Sequence, residues 1–224
     1  MTFSIVARCP RTGKFGVAAA TAMAAVGKLA SHATARHGAI ATQALLNPYF
    51  GYDGLRLLEQ GYSAGETLDM LLGQEKEPEK RQVGIVDRNG NTAAWTGRDT
   101  LPWSGELAEK DFSTQGNRLA RPEVLEAVAS VMHETEAREL AERLLLALEA
   151  GVAAGGDAKG ERSANIFVFH KEEYPLWDVR VDDHDEPLKE LRRLYNVFRE
   201  ELLPQFERMP TRDEFPPVDE RAIT

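Results

Sequence analysis

Along the chain, the spacing of apolar and polar positions changes period several times, and each change marks an element. Residues 3–8 and 15–21 are apolar, β-prone runs on either side of a turn carrying Pro10 and Gly13, which predicts a β-hairpin. Residues 22–30 are small and apolar, as in a tightly packed segment or one facing a cleft. A third strand is predicted over 38–45 and is broken by Asn47-Pro48. Leu55 and Leu58 recur at helical spacing over 51–60, and Gly61 stops that helix. Ser63 with Glu66 forms a capping box for a second helix to Leu72. A charged loop follows over 74–79.

Residues 81–87 alternate, Asn89-Gly90 is a strong hairpin-turn signal, and 91–96 return as a strand. The stretch 97–110 reads as irregular and 111–117 as a short strand ending in a turn. Pro122 is placed at the first position of a helix to about His133, and a strongly apolar helix follows over 137–152. A glycine-rich loop at 155–160, a hairpin over 163–170 and 176–182, and a last helix from Pro187 to about Pro204 complete the pattern. The expected division is one domain over 1–203 and a Pro-rich tail over 204–224. Hairpins cannot be parallel neighbours joined by crossovers, so the order predicts α+β: two mainly antiparallel sheets packed together, with helices on the outer faces.

A length of 224 residues can bury a sizeable core without covalent staples. The formal charge of −9 argues against a nucleic-acid partner, because phosphate binding needs a basic face. A single cysteine suits a reducing compartment. With no apparent leader and no membrane-length apolar run, the expected location is the cytoplasm, with no membrane partner. Hydrophobic helices and a long tail suggest a homodimer.

Candidate chemistry begins at Thr2. A strand starting there fixes the terminus. Removal of Met1 would place a hydroxyl and a free α-amine on one residue. An α-amine with a pKa of about 7.7–8.0 can serve as base for that hydroxyl. Gln43 and Asn47, at a strand end, can grip a polar substrate or serve a turn. Gln115-Gly116-Asn117 offers the parts of an oxyanion hole or a capped turn. In the loop after Gly155-Gly156, Asp157, Arg162 and Ser163 can orient an amine or carboxylate, or decorate a surface loop. Its spacing is not that of a phosphate-binding loop. Asp182-Asp183-His184 admits a metal reading, but the residues point alternately and precede Pro187, so favouring a helix N-terminus explains them better. The remaining histidines lack metal spacing, Lys28 reads as a solvated loop lysine, and nothing near Cys9 suggests a reactive thiol. No metal or cofactor is called for.

Seven stretches in order carry a resemblance: Phe3-Ser4-Ile5-Val6-Ala7-Arg8, Gly16-Val17-Ala18, Ala41-Thr42-Gln43-Ala44, Arg81-Gln82-Val83-Gly84, Gln115-Gly116-Asn117, Ala153-Ala154-Gly155-Gly156-Asp157 and Arg180-Val181-Asp182-Asp183-His184. Over about residues 2–200 the chain resembles the domain-of-unknown-function family numbered 1028, placed in the Ntn-hydrolase (N-terminal nucleophile) superfamily. The resemblance implies a four-layer αββα sandwich. It also implies Thr2 as nucleophile on an amide, with its own α-amine as base and Asn117 and Asp157 close by. The chain departs from the family at Cys9, where relatives tend to carry Asp. The expected function is therefore an amidohydrolase cleaving a small amide or peptide-like C–N bond after Met1 removal. The alternative is a non-catalytic ligand-binding or assembly protein that kept the fold.

Overall fold

The computed structural model describes residues 2–206 and 208–213. Its strands are β1 (Thr2–Arg8), β2 (Phe15–Thr21), β3 (Ser31–Thr34), β4 (Gly38–Ala44), β5 (Arg81–Asp87), β6 (Thr92–Thr96), β7 (Gly105–Glu109), β8 (Phe112–Asn117), β9 (Ser163–Phe169) and β10 (Trp177–Val181). Its main helices are α1 (Tyr49–Gln60), α2 (Ala64–Gln74), α3 (Glu123–Glu134), α4 (Leu140–Ala153) and α5 (Pro187–Val197).

Six strands form one sheet in the order β10-β9-β2-β1-β8-β7, and four form the other in the order β3-β4-β5-β6. All neighbouring strands pair antiparallel. Strand alternation sorts the side chains into layers. Phe3, Ile5 and Ala7 of β1 face α3 and α4, in a core that includes Val128, Leu144 and Leu148. Val6, on the opposite face, packs with Val17, Ala39, Ala41 and Val86 between the sheets. Ile40, Val83 and Ile85 face Phe50, Leu58 and Leu71 of α1 and α2. The architecture is thus a four-layer αββα sandwich of two antiparallel sheets.

Local signals set many of the boundaries. α1 ends at Gly61, which has φ 100, and the Ser63–Glu66 capping box opens α2. Pro122 sits at the N-cap of α3 rather than inside its first turn. α4 starts at Leu140, three residues later than its apolar pattern suggests, because Arg138 N–H closes a turn on the Thr135 carbonyl. Two short strands were not expected. β3 lies between the small-residue segment and the third expected strand, and β7 lies in the stretch read as irregular. Both are edge strands, defined by a partner rather than by their own pattern. α5 continues through a π-helical turn, Phe198–Leu202, into Leu203–Phe206. Most of the expected tail, residues 214–224, lies outside the described residues.

Candidate functional site

Toward one end of the sandwich the layer between the sheets turns polar. The inward positions there are Thr2 and Ser4 on β1, Gln43 on β4, Gln82 on β5, and Ser113, Gln115 and Asn117 on β8, none more than 9% exposed. Burying this many polar groups is costly unless each finds partners.

Partners are supplied across strands. Gln115 Nε2 donates to Ser4 Oγ at 2.6 Å, and Ser4 Oγ donates to Gln43 Oε1 at 2.7 Å. Gln43 Nε2 donates to Gln82 Oε1 at 2.7 Å and to the Thr2 and Gln115 carbonyls at 3.2 and 3.3 Å. Asn117 Nδ2 donates to the same Gln82 Oε1 at 2.9 Å. Gln82 Nε2 donates in turn to Thr96 Oγ1 and the Gly116 carbonyl, both at 2.8 Å. Room for Gln115 comes from Gly84 on the facing strand, where a Cβ would lie 2.0 Å from Gln115 Oε1. The network thus ties β1, β4, β5, β6 and β8 into one block and grips the backbone of Thr2.

Thr2 itself pairs with Asn117 across β1–β8. Its hydroxyl donates to Thr21 Oγ1 at 3.1 Å, and that oxygen also accepts the Met23 N–H at 3.3 Å. Thr21 ends β2, pairs with Ser163, and its carbonyl accepts the Arg162 N–H at 2.7 Å.

The glycine-rich loop closes over this strand end. Asp157 Oδ2 accepts the Ala22 N–H at 3.0 Å, and Oδ1 accepts the Lys159 N–H at 2.7 Å. The Asp157 N–H donates to Glu161 Oε1 at 2.7 Å. Burial pushes the Glu161 carboxyl above its ordinary range, against the pull of that hydrogen bond. Ser163 Oγ accepts the Val26 N–H at 3.0 Å and donates to the Met23 carbonyl at 2.7 Å, fixing the segment after β2.

Of the residues singled out from sequence, Thr2, Gln43, Gln115 and Asn117 share the seam. Asp157 and Ser163 border it through the end of β2. Gly116 contributes its carbonyl, and Leu119 fills the space of its missing side chain, 2.6 Å from where a Cβ would lie. Arg162 reaches the site by its backbone only. Its exposed guanidinium pairs with Asp183, with Nη2 to Oδ2 at 2.8 Å. Asn47 serves its own turn, accepting the Tyr49 N–H, and donates to Glu75 Oε2 at 3.0 Å. The acidic stretch acts as a clasp: the Asp182 carbonyl accepts the Ala25 N–H, and the His184 N–H donates to the Arg162 carbonyl. His184 Nδ1 accepts the Glu186 N–H at the start of α5, and no side chain caps that helix. Among the described residues, no group of three His, Cys, Asp or Glu side chains is placed to hold a metal ion. Nor is any helix among them long and apolar enough to cross a membrane.

Sequence reasoning passed over Ser4, Thr21 and Gln82 as site residues. A period-two reading of β1 would have put Ser4 on the face of Thr2. Thr21 and Gln82 matter only through partners from other strands.

A protein from Silicibacter pomeroyi, itself described as matching the DUF1028 family, has a solved structure similar to this chain. The two share 28% identity over 96% of each chain, with a TM-score of 0.86. Weaker likenesses are to Anbu, the ancestral β-subunit, from Yersinia bercovieri and to Thiobacillus denitrificans BPH in complex with epoxomicin. The first has 11% identity over 93% of this chain and 98% of that one, with a TM-score of 0.38. The second has 12% identity over 76% and 98%, with a TM-score of 0.40. No curated protein matches the sequence. Residues 2–191 match the family of unknown function DUF1028, and the chain belongs to that family.

Proposed function

We propose that the protein is an Ntn-type amidohydrolase for small amides, with Thr2 as nucleophile once Met1 is removed. The observation that carries this reading is the setting of Thr2. A buried hydroxyl at a strand start is held by Thr21, at the end of a seam whose amides fix its own backbone carbonyl.

In this mechanism Thr2 Oγ attacks the amide carbon, and its proton passes to the Thr2 α-amine. The C–N bond breaks as the amine returns that proton to the leaving nitrogen. The acyl group is left as an ester on Thr2 Oγ, and water then hydrolyses it to the acid. Thr21 orients the hydroxyl through its hydrogen bond. Asn117, paired with Thr2, is the nearest residue on β8 for binding the oxyanion. Asp157 positions the loop over the end of β2. The acidic surface balance favours a small uncharged or cationic substrate over a polyanion.

Intact mass of untagged protein from the native host tests the first step, with loss of Met1 expected. Processed protein is then assayed on an amide panel. Thr2→Ala should lower turnover by about 10³-fold or more. Thr2→Ser should retain activity and form an acyl adduct visible by mass. Retained Met1, or unchanged turnover in Thr2→Ala, would replace the catalytic reading with a ligand-binding one.

A further inference from the structure

At the opposite end of β1 from Thr2 lies a cavity of about 690 Å³, within the size range of small-molecule sites. The end of β1, the β1–β2 and β7–β8 turns, the last turn of α3 and the first turn of α4 line this open cavity. Cys9, Phe112 and Met132 are among its apolar lining residues, each at most 4% exposed.

Arg143, on α4, lines the same cavity and is only 5% exposed. A guanidinium is an obligate cation, and a buried cation is normally matched by a carboxylate. Among the described residues no carboxylate lies within ion-pair distance of Arg143. Asp111 is engaged by Arg8 at 2.8 Å, and Glu109 by His133 at 2.8 Å. Glu136 acts on Arg143 only at longer range. Its Nη2 donates to the Met132 carbonyl at 2.7 Å, capping the end of α3, but its buried Nε meets no acceptor. Capping therefore engages Nη2 and leaves Nε, on the same edge of the guanidinium, without an acceptor.

We infer that this cavity is a second ligand site, for a small carboxylate carrying an apolar group, with Arg143 as its anion anchor. A guanidinium fork matches a carboxylate with two parallel hydrogen bonds. Pro10 and Ala137, both exposed, supply apolar surface for the rest of the molecule, above the buried Phe112 and Met132. Arg11 and Lys110 add positive charge among the lining residues, against Glu109 and Glu136. This site is independent of Thr2 chemistry.

Phenylacetate is a suitable probe, with phenylacetamide as its neutral match. Binding is followed by calorimetry and by the ¹³C-methyl resonance of Met132. Phenylacetate should bind saturably and shift Met132, with phenylacetamide weaker by about tenfold or more. Thr2→Ala should bind it unchanged, which separates this site from an acid lodged at Thr2. Arg143→Met should lose binding by a similar factor. Cys9→Asp keeps the arginine and supplies an internal carboxylate, since Cys9 lines the same cavity as Arg143. It should likewise exclude the probe while raising thermal stability. Equal binding of acid and amide, no Met132 shift, or undiminished binding in both variants would overturn the assignment.

Discussion

Along β1 the face turned toward the other sheet runs Val6, Ser4, Thr2; along β4 it runs Ala39, Ala41, Gln43; along β5, Val86, Gly84, Gln82. The same strands therefore build two different interiors. One half is an apolar layer of Val6, Phe15, Val17, Ala39, Ala41 and Val86. The other is a hydrogen-bonded layer of Ser4, Gln43, Gln82, Gln115 and Asn117. Sheet packing alone does not require the second kind, because apolar side chains of similar volume would hold the sheets with no desolvation cost. What the polar half adds is direction. Each amide has few satisfying geometries, so the block fixes the backbone of Thr2 more narrowly than dispersion contacts would.

Removing the hub of the polar half gives the largest expected effect. Gln82→Leu leaves the Asn117 amide without its acceptor and the Gly116 carbonyl without its side-chain donor, both buried. The cost should be about 4 kcal/mol in urea unfolding, the middle of the range for stranding two groups. Turnover of the folded fraction should fall as well. In the apolar half, Val17→Ala should cost about 2 kcal/mol through a cavity and leave turnover per folded molecule intact. If both variants lose stability and neither loses turnover, the polar half is only another way to fill a core.

Gly84→Ala sharpens the same contrast with one methyl group. The new Cβ would meet Gln115 Oε1 at 2.0 Å, so the amide must leave its bonds with Ser4 and Ser113. An overpacked, partly broken network predicts a loss of about 2–3 kcal/mol. Gln115→Ala in the same chain should recover part of that loss, because it removes the clashing group. A plain sum of the two single losses would mean that Gly84 is small for another reason.

These halves were not equally readable from sequence. The Ser63–Glu66 box, the Asn89-Gly90 turn and strand β5 obey rules spanning a few residues, and they appear where those rules put them. Edge strands β3 and β7 obey no such rule, since their state is conferred by a neighbour. Thr2 could be singled out as a candidate because a hydroxyl and an α-amine would lie on one residue after Met1 removal. Gln82 could not, because its partners come from β4, β6 and β8 and its neighbours in sequence give no hint of them. Asn47 shows the converse. An amide at a strand end looks like a substrate ligand, yet here its partners are its own turn and Glu75.

That Asn47–Glu75–Arg81 cluster gives the smallest effect and a test by pH. The side chains of the polar seam are amides and hydroxyls, which do not titrate in the accessible range. Glu75, which caps the end of α2 and pairs with Arg81 at the start of β5, does. Burial pushes its carboxyl up, but the bonds from Arg81, the Glu77 N–H and Asn47 pull harder and hold it down to about 2. The Arg81 Nε to Glu75 Oε2 distance is 3.0 Å. A folded pKa below the unfolded one means that the carboxylate's contribution is fully present above the unfolded value of 4.5. It is lost as the pH falls from there toward about 2. Glu75→Gln should therefore cost about 1 kcal/mol at neutral pH, as for a partly screened ion pair. The difference from the parent should vanish near pH 2. Gln82→Leu, measured alongside, should show a deficit that does not depend on pH over the same window. Urea midpoints at a series of pH values separate the two. A Gln82→Leu deficit that shrinks in parallel with that of Glu75→Gln would mean that the seam is coupled to the ion pair beside it and is not a self-contained block.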